Sequence, residues 1–327
     1  MGLIRILGAG VMGLAIATEL SARGHQIELV DPATGPGPQG CSWWAGGMLA
    51  PYCEGESAEE PAERLGLDAI NWWDRHAGGV QRRGTLVLAP ARDRAELDRF
   101  ARRSRGHRLL DAQGIAALEP DLDGRFTTGL FYEGEAHLSP RAALAALQQR
   151  LQDRGATFHA RPPDTVPDHI IDARGLAARD QLPDLRGVRG EMLILRCPEV
   201  TLSRPVRLLH PRIPLYIVPR GDGVFMLGAT MIESDRRGVV TARSVLELLS
   251  AAYALLPAFG EAELLETGAD ARPAFPDNLP RLRKIGSTLF ANGLYRHGFL
   301  LSPAIAAMAA SHLETGAIPE FMDEVPL

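Results

Sequence analysis

Apolar residues in this chain fall in short runs divided by glycine- and proline-rich turns. Leu3–Leu7 has the pattern of a short buried strand. It runs into Gly8-Ala9-Gly10-Val11-Met12-Gly13. Leu14, Ile16, Ala17 and Leu20 then mark a helix that Gly24 is placed to stop. Residues 27–30 read as a second strand, with Asp31 at its end. The sum is a βαβ unit. Residues 32–40 hold three prolines and three glycines and form a loop.

Farther on, residues 70–73 predict a helix, 84–90 a strand, and 92–105 a charged, solvated helix to which no function is assigned. Ser139-Pro140 is a helix start, with Leu144, Leu147 and Leu151 on one face and Gly155 at the stop. Residues 156–160 and 170–172 read as strands returning to the first sheet, joined by the short connection Arg161-Pro162-Pro163-Asp164. Residues 188–195 predict a long strand. Residues 215–219 and 224–228 alternate around Gly221-Asp222-Gly223, a hairpin. Residues 245–256 have helical periodicity, 289–293 read as a closing strand, and Ser302-Pro303 is read as the start of the last helix.

A length of 327 residues suggests about two domains. Composition, at 46% hydrophobic and 23% charged, is that of a globular protein. The net charge of -5 gives no global attraction to nucleic acid or to an anionic membrane. Cys41, Cys53 and Cys197 are odd in number and widely spaced. That excludes a disulfide framework, argues against a metal site and makes a reducing cytoplasm the expectation. No run of 18 apolar residues predicts a membrane span. Glycines and Glu19 interrupt the apolar N-terminal stretch, so a signal peptide is not expected.

The glycines carry the first chemistry. Gly8 permits a tight turn. Gly10 lets the backbone at Val11 and Met12 approach a pyrophosphate, and Gly13 lets helix and strand pack closely. Asp31, 23 residues after Gly8, stands where it can accept hydrogen bonds from a ribose. An acid there disfavours a 2′-phosphate and so NADP. The fingerprint alone leaves FAD and NAD open.

Ser42, the run Ala45-Gly46-Gly47-Met48 and Pro51 resemble the second flavin-contacting segment of the D-amino-acid oxidase superfamily, and within it glycine oxidases of thiamine biosynthesis. Further patches resemble the same family in the same order: residues 188–191, residues 216–220 with 228–231, Arg272-Pro273, and Tyr295-Arg296 with 298–303. The resemblance implies an α/β fold: a Rossmann-like FAD-binding domain of the glutathione-reductase type with an inserted antiparallel-sheet substrate domain. Residues 1–78, 135–187 and 267–327 are expected in the first, and 79–134 and 188–266 in the second.

For the site, it implies noncovalent FAD on the N-terminal fingerprint, on Ser42 and residues 45–48, and on a last loop comprising Arg296, His297, Gly298, Phe299 and Leu300. His297 has no partner in the sequence and is read as structural. An amino-acid oxidase must hold a carboxylate, and a guanidinium offers it two parallel donors. Arg272, also near the flavin, is the candidate anchor and Tyr216 the phenol beside it. Arg296 is expected to line the site and Met231 to form a wall. The competing readings are a structural arginine, a packed core tyrosine, a cap arginine and ordinary core. Three positions depart from the family: Pro214 replaces a pocket histidine, Gly293-Leu294 a Gly-His pair, and Pro276-Asp277-Asn278 a Pro-Asp-Gly run. The short 161–164 connection leaves the adenine contact unassigned.

The implied activity is FAD-dependent oxidation of a small amine or amino acid. Glycine would go to its imine and on to glyoxylate, with oxygen reduced to hydrogen peroxide and the imine feeding thiamine thiazole synthesis. Alternatives are a D-amino-acid or sarcosine-type oxidase or dehydrogenase, an enzyme acting on a modified tRNA base, and a non-catalytic dinucleotide-binding regulator. No acid/base pair, triad or metal cluster is needed, since the cofactor takes the hydride. A homo-oligomer is expected only from base rates.

Overall fold

The computed structural model describes residues 2–56, 60–209 and 215–323. Elements are numbered in chain order. The first sheet centres on β1 (Leu3–Leu7), which pairs in parallel with β2 (Gln26–Val30) and β9 (His169–Asp172). β8 (Thr157–His159) extends it beyond β2. β17 (Thr288–Asn292), β16 (Arg281–Ile285) and β18 (Met322–Asp323) extend it beyond β9. The order is β18-β16-β17-β9-β1-β2-β8, parallel except for the β16–β17 pair. Ile4 and Ile6 are fully buried. α1 (Val11–Ala22) packs against α7 (Pro140–Asp153) and α9 (Gly298–Thr315), so its apolar residues run round the whole helix. Arg5 and Glu28, opposite each other in β1 and β2, form a buried ion pair at 2.9 Å. Arg5 and Glu28 both bond Thr165, and this ties the short connection before β9 to the sheet.

The second sheet is mainly antiparallel. β10 (Arg186–Arg196) pairs along its length with β15 (Glu263–Ala274). On its other edge lie β14 (Ile232–Glu233) and β13 (Val224–Gly228). β12 (Leu215–Gly221), β11 (Val206–Leu208), β4 (Thr85–Leu88), β6 (Thr128–Tyr132) and β5 (Arg108–Asp111) follow in that order. α8 (Ala242–Leu255) covers one face. Its N-cap Thr241 donates to Glu191, which is fully buried and paired with Arg189 at 2.5 Å. Short helices α2 (Pro51–Glu54), α3 (Glu60–Gly66), α4 (Ala69–His76), α5 (Arg94–Arg103) and α6 (Ala112–Leu118) lie between these parts. A ribbon of β3 (Met48–Leu49) and β7 (Ala136–His137) lies at the junction.

One expectation is corrected. The last helix starts at Gly298, not at Ser302, and Pro303 lies inside it. A proline has no N–H for the carbonyl four residues earlier. That carbonyl belongs to Phe299, and the indole Nε1 of Trp73 in α4 donates to it at 2.6 Å. The orphaned acceptor is thus satisfied from outside the helix.

Candidate active site

The cofactor end is built where β1 stops. Gly8 has φ +97°, and a Cβ there would lie against the Ala173 backbone. Gly13 faces the Gly8 carbonyl so closely that any Cβ would overlap it. α1 therefore starts hard against the strand, and its N-cap, Gly10, offers no side chain to the first amides. Two distant side chains reach that turn. Ser42 Oγ accepts from Val11 N–H at 3.1 Å, and Asp31 Oδ2 from Ala9 N–H at 3.0 Å. The start of α9 joins them, since a Cβ on Gly298 would lie 3.3 Å from Val11.

Both helix starts open on one cavity of about 1140 Å³. Gly8, Gly10, Val11, Met12, Asp31 and Ser42 line it, and Ala45, Gly46, Gly47 and Met48 continue the wall. His297, Gly298, Phe299 and Leu300 also line it, with Gly298 beside Val11. Gly13 does not line the cavity and acts through helix–strand packing. Arg161 and Pro162 of the short connection also face in. Two positive helix ends, the first with its Val11 N–H held by Ser42, suit a diphosphate.

Tyr216, Met231, Arg272 and Arg296 line the same cavity. Arg272 stands in β15 opposite Val188. Its guanidinium lies over Gly190, where any Cβ would overlap it, and donates to the Thr230 carbonyl at 3.3 Å. Tyr216 faces Gly228 across the β12–β13 ladder. A Cβ on Gly228 would come within 2.8 Å of its phenol oxygen, and one on Gly46 within 2.9 Å of its ring. Glycines at 190, 228 and 46 are thus what let the two side chains lie across the sheet toward the cavity. Burial pushes the Tyr216 hydroxyl up while Arg272 partly offsets this, so it stays a neutral donor. Arg296 Nη1 and the Tyr295 hydroxyl both approach the Met231 sulfur at 3.7 Å. Tyr295 has φ +50° and donates its amide to the Pro273 carbonyl at 2.9 Å. The last loop is thereby tied to the strand that carries Arg272.

Two residues of this site have no signal in the sequence. Glu54, at the end of α2, and Arg207 of β11 both line the cavity and are paired with each other. Glu54 also meets Arg296 at 3.1 Å and His297 Nδ1 at 3.4 Å. Burial alone would raise the Glu54 carboxyl, but Arg207, Arg296 and His297 hold it well below the usual carboxylate range. Burial lowers His297 to about 4, against the opposing pull of Glu54, so its ring is neutral at pH 7. Pro51-Tyr52-Cys53-Glu54 matches no motif, and Arg207 is one of 35 basic residues. Only the folded chain brings them together. Of the three departures, Leu294 lines the cavity, Asn278 accepts from Arg186, and Pro214 lies outside the described residues.

Residues 4–312 match the family model of FAD-dependent oxidoreductases. The chain belongs to that family. This FAD-dependent oxidoreductase is 56% identical over 316 residues to a Rhizobium etli protein named as a thiamine biosynthesis oxidoreductase, ThiO, with 95% of this chain and 96% of the relative covered. It is 27% identical over 339 residues to a bifunctional ThiO/ThiG protein of Synechocystis, covering 93% of this chain and 50% of that one. The chain thus spans about half the length of that relative. Its fold matches the crystal structure of glycine oxidase from Geobacillus kaustophilus, with a TM-score of 0.80 and 24% identity over 98% of this chain and 97% of the other.

FAD is the cofactor of this family, and the residues present fit it. The glycine cradle, the two open helix starts and Asp31 suit an adenosine diphosphate, and the wall at 45–48 continues from them without a break. Among the described residues no group of three His, Cys, Asp or Glu is placed to hold a metal ion. No helix among them is long and apolar enough to cross a membrane.

Proposed function

We propose that this FAD-dependent oxidoreductase oxidises glycine to its imine. Two electrons and a proton leave as a hydride, and the amine gives up a second proton. Oxygen is the proposed acceptor, leaving hydrogen peroxide, and the imine is released for thiamine thiazole synthesis or hydrolyses to glyoxylate. The observation that carries the reading is the juxtaposition of Arg272 and Tyr216 in the lining of the cofactor cavity. ThiO as the name of the relative that is 56% identical supports the thiamine role.

FAD, when bound, supplies the hydride acceptor. The chain binds and orients. Arg272 takes the substrate carboxylate bidentately and Tyr216 donates a hydrogen bond to it. Arg296, held by Glu54, closes the pocket with Met231 and Tyr295. With His297 neutral and Glu54 fully ionised, the pocket at pH 7 carries more guanidinium than carboxylate, which favours an anion. Residues 1–78, 135–187 and 267–327 form the proposed cofactor domain and the remainder the substrate domain, with β15 crossing that boundary because its whole length pairs with β10 in the second sheet. FAD is held without a covalent bond. Cys197 is buried in the core of the second sheet, and Cys41, though it lines the cavity, has a thiol pushed up by burial to about 11.

The test is an anaerobic visible spectrum of the flavoprotein before and after glycine. Bleaching by glycine, followed by recovery and peroxide when oxygen is admitted, supports the reading. A flavin that ignores glycine but is bleached by sarcosine or a D-amino acid keeps the chemistry and moves the substrate. A flavin that no small amine bleaches overturns it. A flavin adduct on denatured protein, seen by mass spectrometry, would overturn noncovalent binding.

A further inference from the structure

A guanidinium with no acid beside it stands directly behind the cofactor wall. Arg220 lies on β12, four residues after Tyr216, where the ladder to β13 shifts register. It donates to the carbonyl oxygens of Gly46 at 2.8 Å, Leu138 at 3.0 Å and Ala45 at 3.4 Å. Among the described residues no carboxylate pairs with it. Ala45 and Gly46 line the cavity, whereas Arg220 does not. Burial pushes the guanidinium down to about 10, Tyr216 acts the other way, and the Arg141 cation adds to the fall.

The peptide geometry gives these bonds a direction. In a trans peptide the C=O and the following N–H point opposite ways. With the Ala45 and Gly46 carbonyls turned to Arg220, the N–H groups of Gly46 and Gly47 point away from it. Gly47 then reverses the chain at φ +70°, and its own carbonyl accepts from Leu138 N–H at 2.9 Å. A Cβ at residue 47 would overlap the Leu138 carbonyl, so only glycine makes this reversal. One guanidinium thus fixes both the loop and the ribbon strand behind it. Three carbonyls suit the planar fork of arginine better than the point charge of lysine.

We propose that Arg220 is a positioning residue for the flavin: it aims the Gly46 and Gly47 amides into the cavity, and its uncompensated charge makes the bound flavin a stronger electron acceptor. Reduction places negative charge on the ring, and a nearby cation in a poorly hydrated wall, together with oriented donors, favours that form. The same strand carries Tyr216, which lines the cavity.

The proposal rests on FAD filling the cavity and not on which amine is oxidised. Its test therefore uses the holoprotein without substrate. The two-electron potential of the flavin is measured by dye equilibration, and sulfite addition to the flavin is titrated by loss of the visible band. In Arg220→Met, sulfite affinity should fall about tenfold or more, and the potential should drop by about 30 mV, the equivalent of a tenfold change for a two-electron couple. Arg220→Lys should keep the potential near that of the parent and bind FAD about tenfold more weakly, because charge survives while the fork is lost. If Arg220→Met retains no FAD, Arg220→Gln carries the same expectation. A neutral variant with bound FAD and unaltered potential and sulfite affinity would overturn the proposal. So would a lysine variant that loses the potential as fully as the neutral one. Failure of glycine to bleach the flavin would leave it standing.

Discussion

Arg272 reaches the cavity because residue 190 has no side chain, and its reach is what the substrate reading depends on. Arg272→Met should cost roughly 3 kcal/mol of glycine binding, about 10²-fold, mostly as a rise in KM, because the carboxylate contact is common to substrate and transition state. Steady-state kinetics with glycine check this, and a variant with unchanged KM would remove Arg272 from the site. Glu135 makes a different prediction. It is 1% exposed and accepts from Cys53 N–H at 2.7 Å, and burial pushes its carboxyl up to about 7. A raised folded-state pKa gives stability that is full below the unfolded value near 4.5 and lost as pH rises through 7. Glu135→Gln keeps the acceptor and removes the titration. Relative to the parent it should gain roughly 3 kcal/mol between pH 4.5 and pH 8, judged from urea midpoints at both values. Parallel pH profiles would show that the carboxyl titrates normally.

At the scale of elements, α9 tolerates Pro303 because the Trp73 indole replaces the missing amide at Phe299. Trp73→Phe should lose about 2 kcal/mol by leaving that buried carbonyl unpaired, read as a lower urea midpoint with an unchanged slope. The same helix shows what was legible in the chain. Ser302-Pro303 satisfies every local rule for a helix start, and the cancelling donor lies 226 residues away in sequence. The helix of the βαβ unit starts at Val11, three residues before the apolar pattern begins. The two strands of that unit, by contrast, were legible to within a residue, because period, glycine spacing and terminal acid are all local. The hairpin at 221–223 was legible for the same reason, with three successive residues at positive φ. Glu54 and Arg207 were not, since a pair 153 residues apart leaves no pattern in either neighbourhood. Removing one partner tests their weight. Glu54→Ala should cost about 3–5 kcal/mol by stranding a buried guanidinium, and thermal unfolding of the holoprotein would show it.

At the scale of the molecule, the cavity wall is drawn from both sheets, from the ribbon and from the starts of two helices. A ligand that touches all of them couples their stabilities. Stripping FAD should therefore lower the whole transition. With free FAD at roughly 1,000 times Kd, linkage gives about 4 kcal/mol, a shift of several degrees Celsius in Tm. A calorimetric scan of apoprotein against holoprotein checks this, and a holoprotein scan in which only part of the transition moves would mean that the flavin contacts only one part.

The first sheet takes its strands from residues 3–30, from 157–172 and again from 281–323. On the ribosome this order matters. β1 and β2 emerge early, but the far edge of β9 has no neighbour until β17 is synthesised, and α1 has no α9 to lie against until residue 298 has appeared. The nascent protein must therefore carry an open parallel edge and a bare apolar helix for most of its synthesis, in need of shelter from other chains. The full flavin cavity can form only after residues 281–300 have been made. Supply of FAD and synthesis of these late strands and of α9 are thus joined in time.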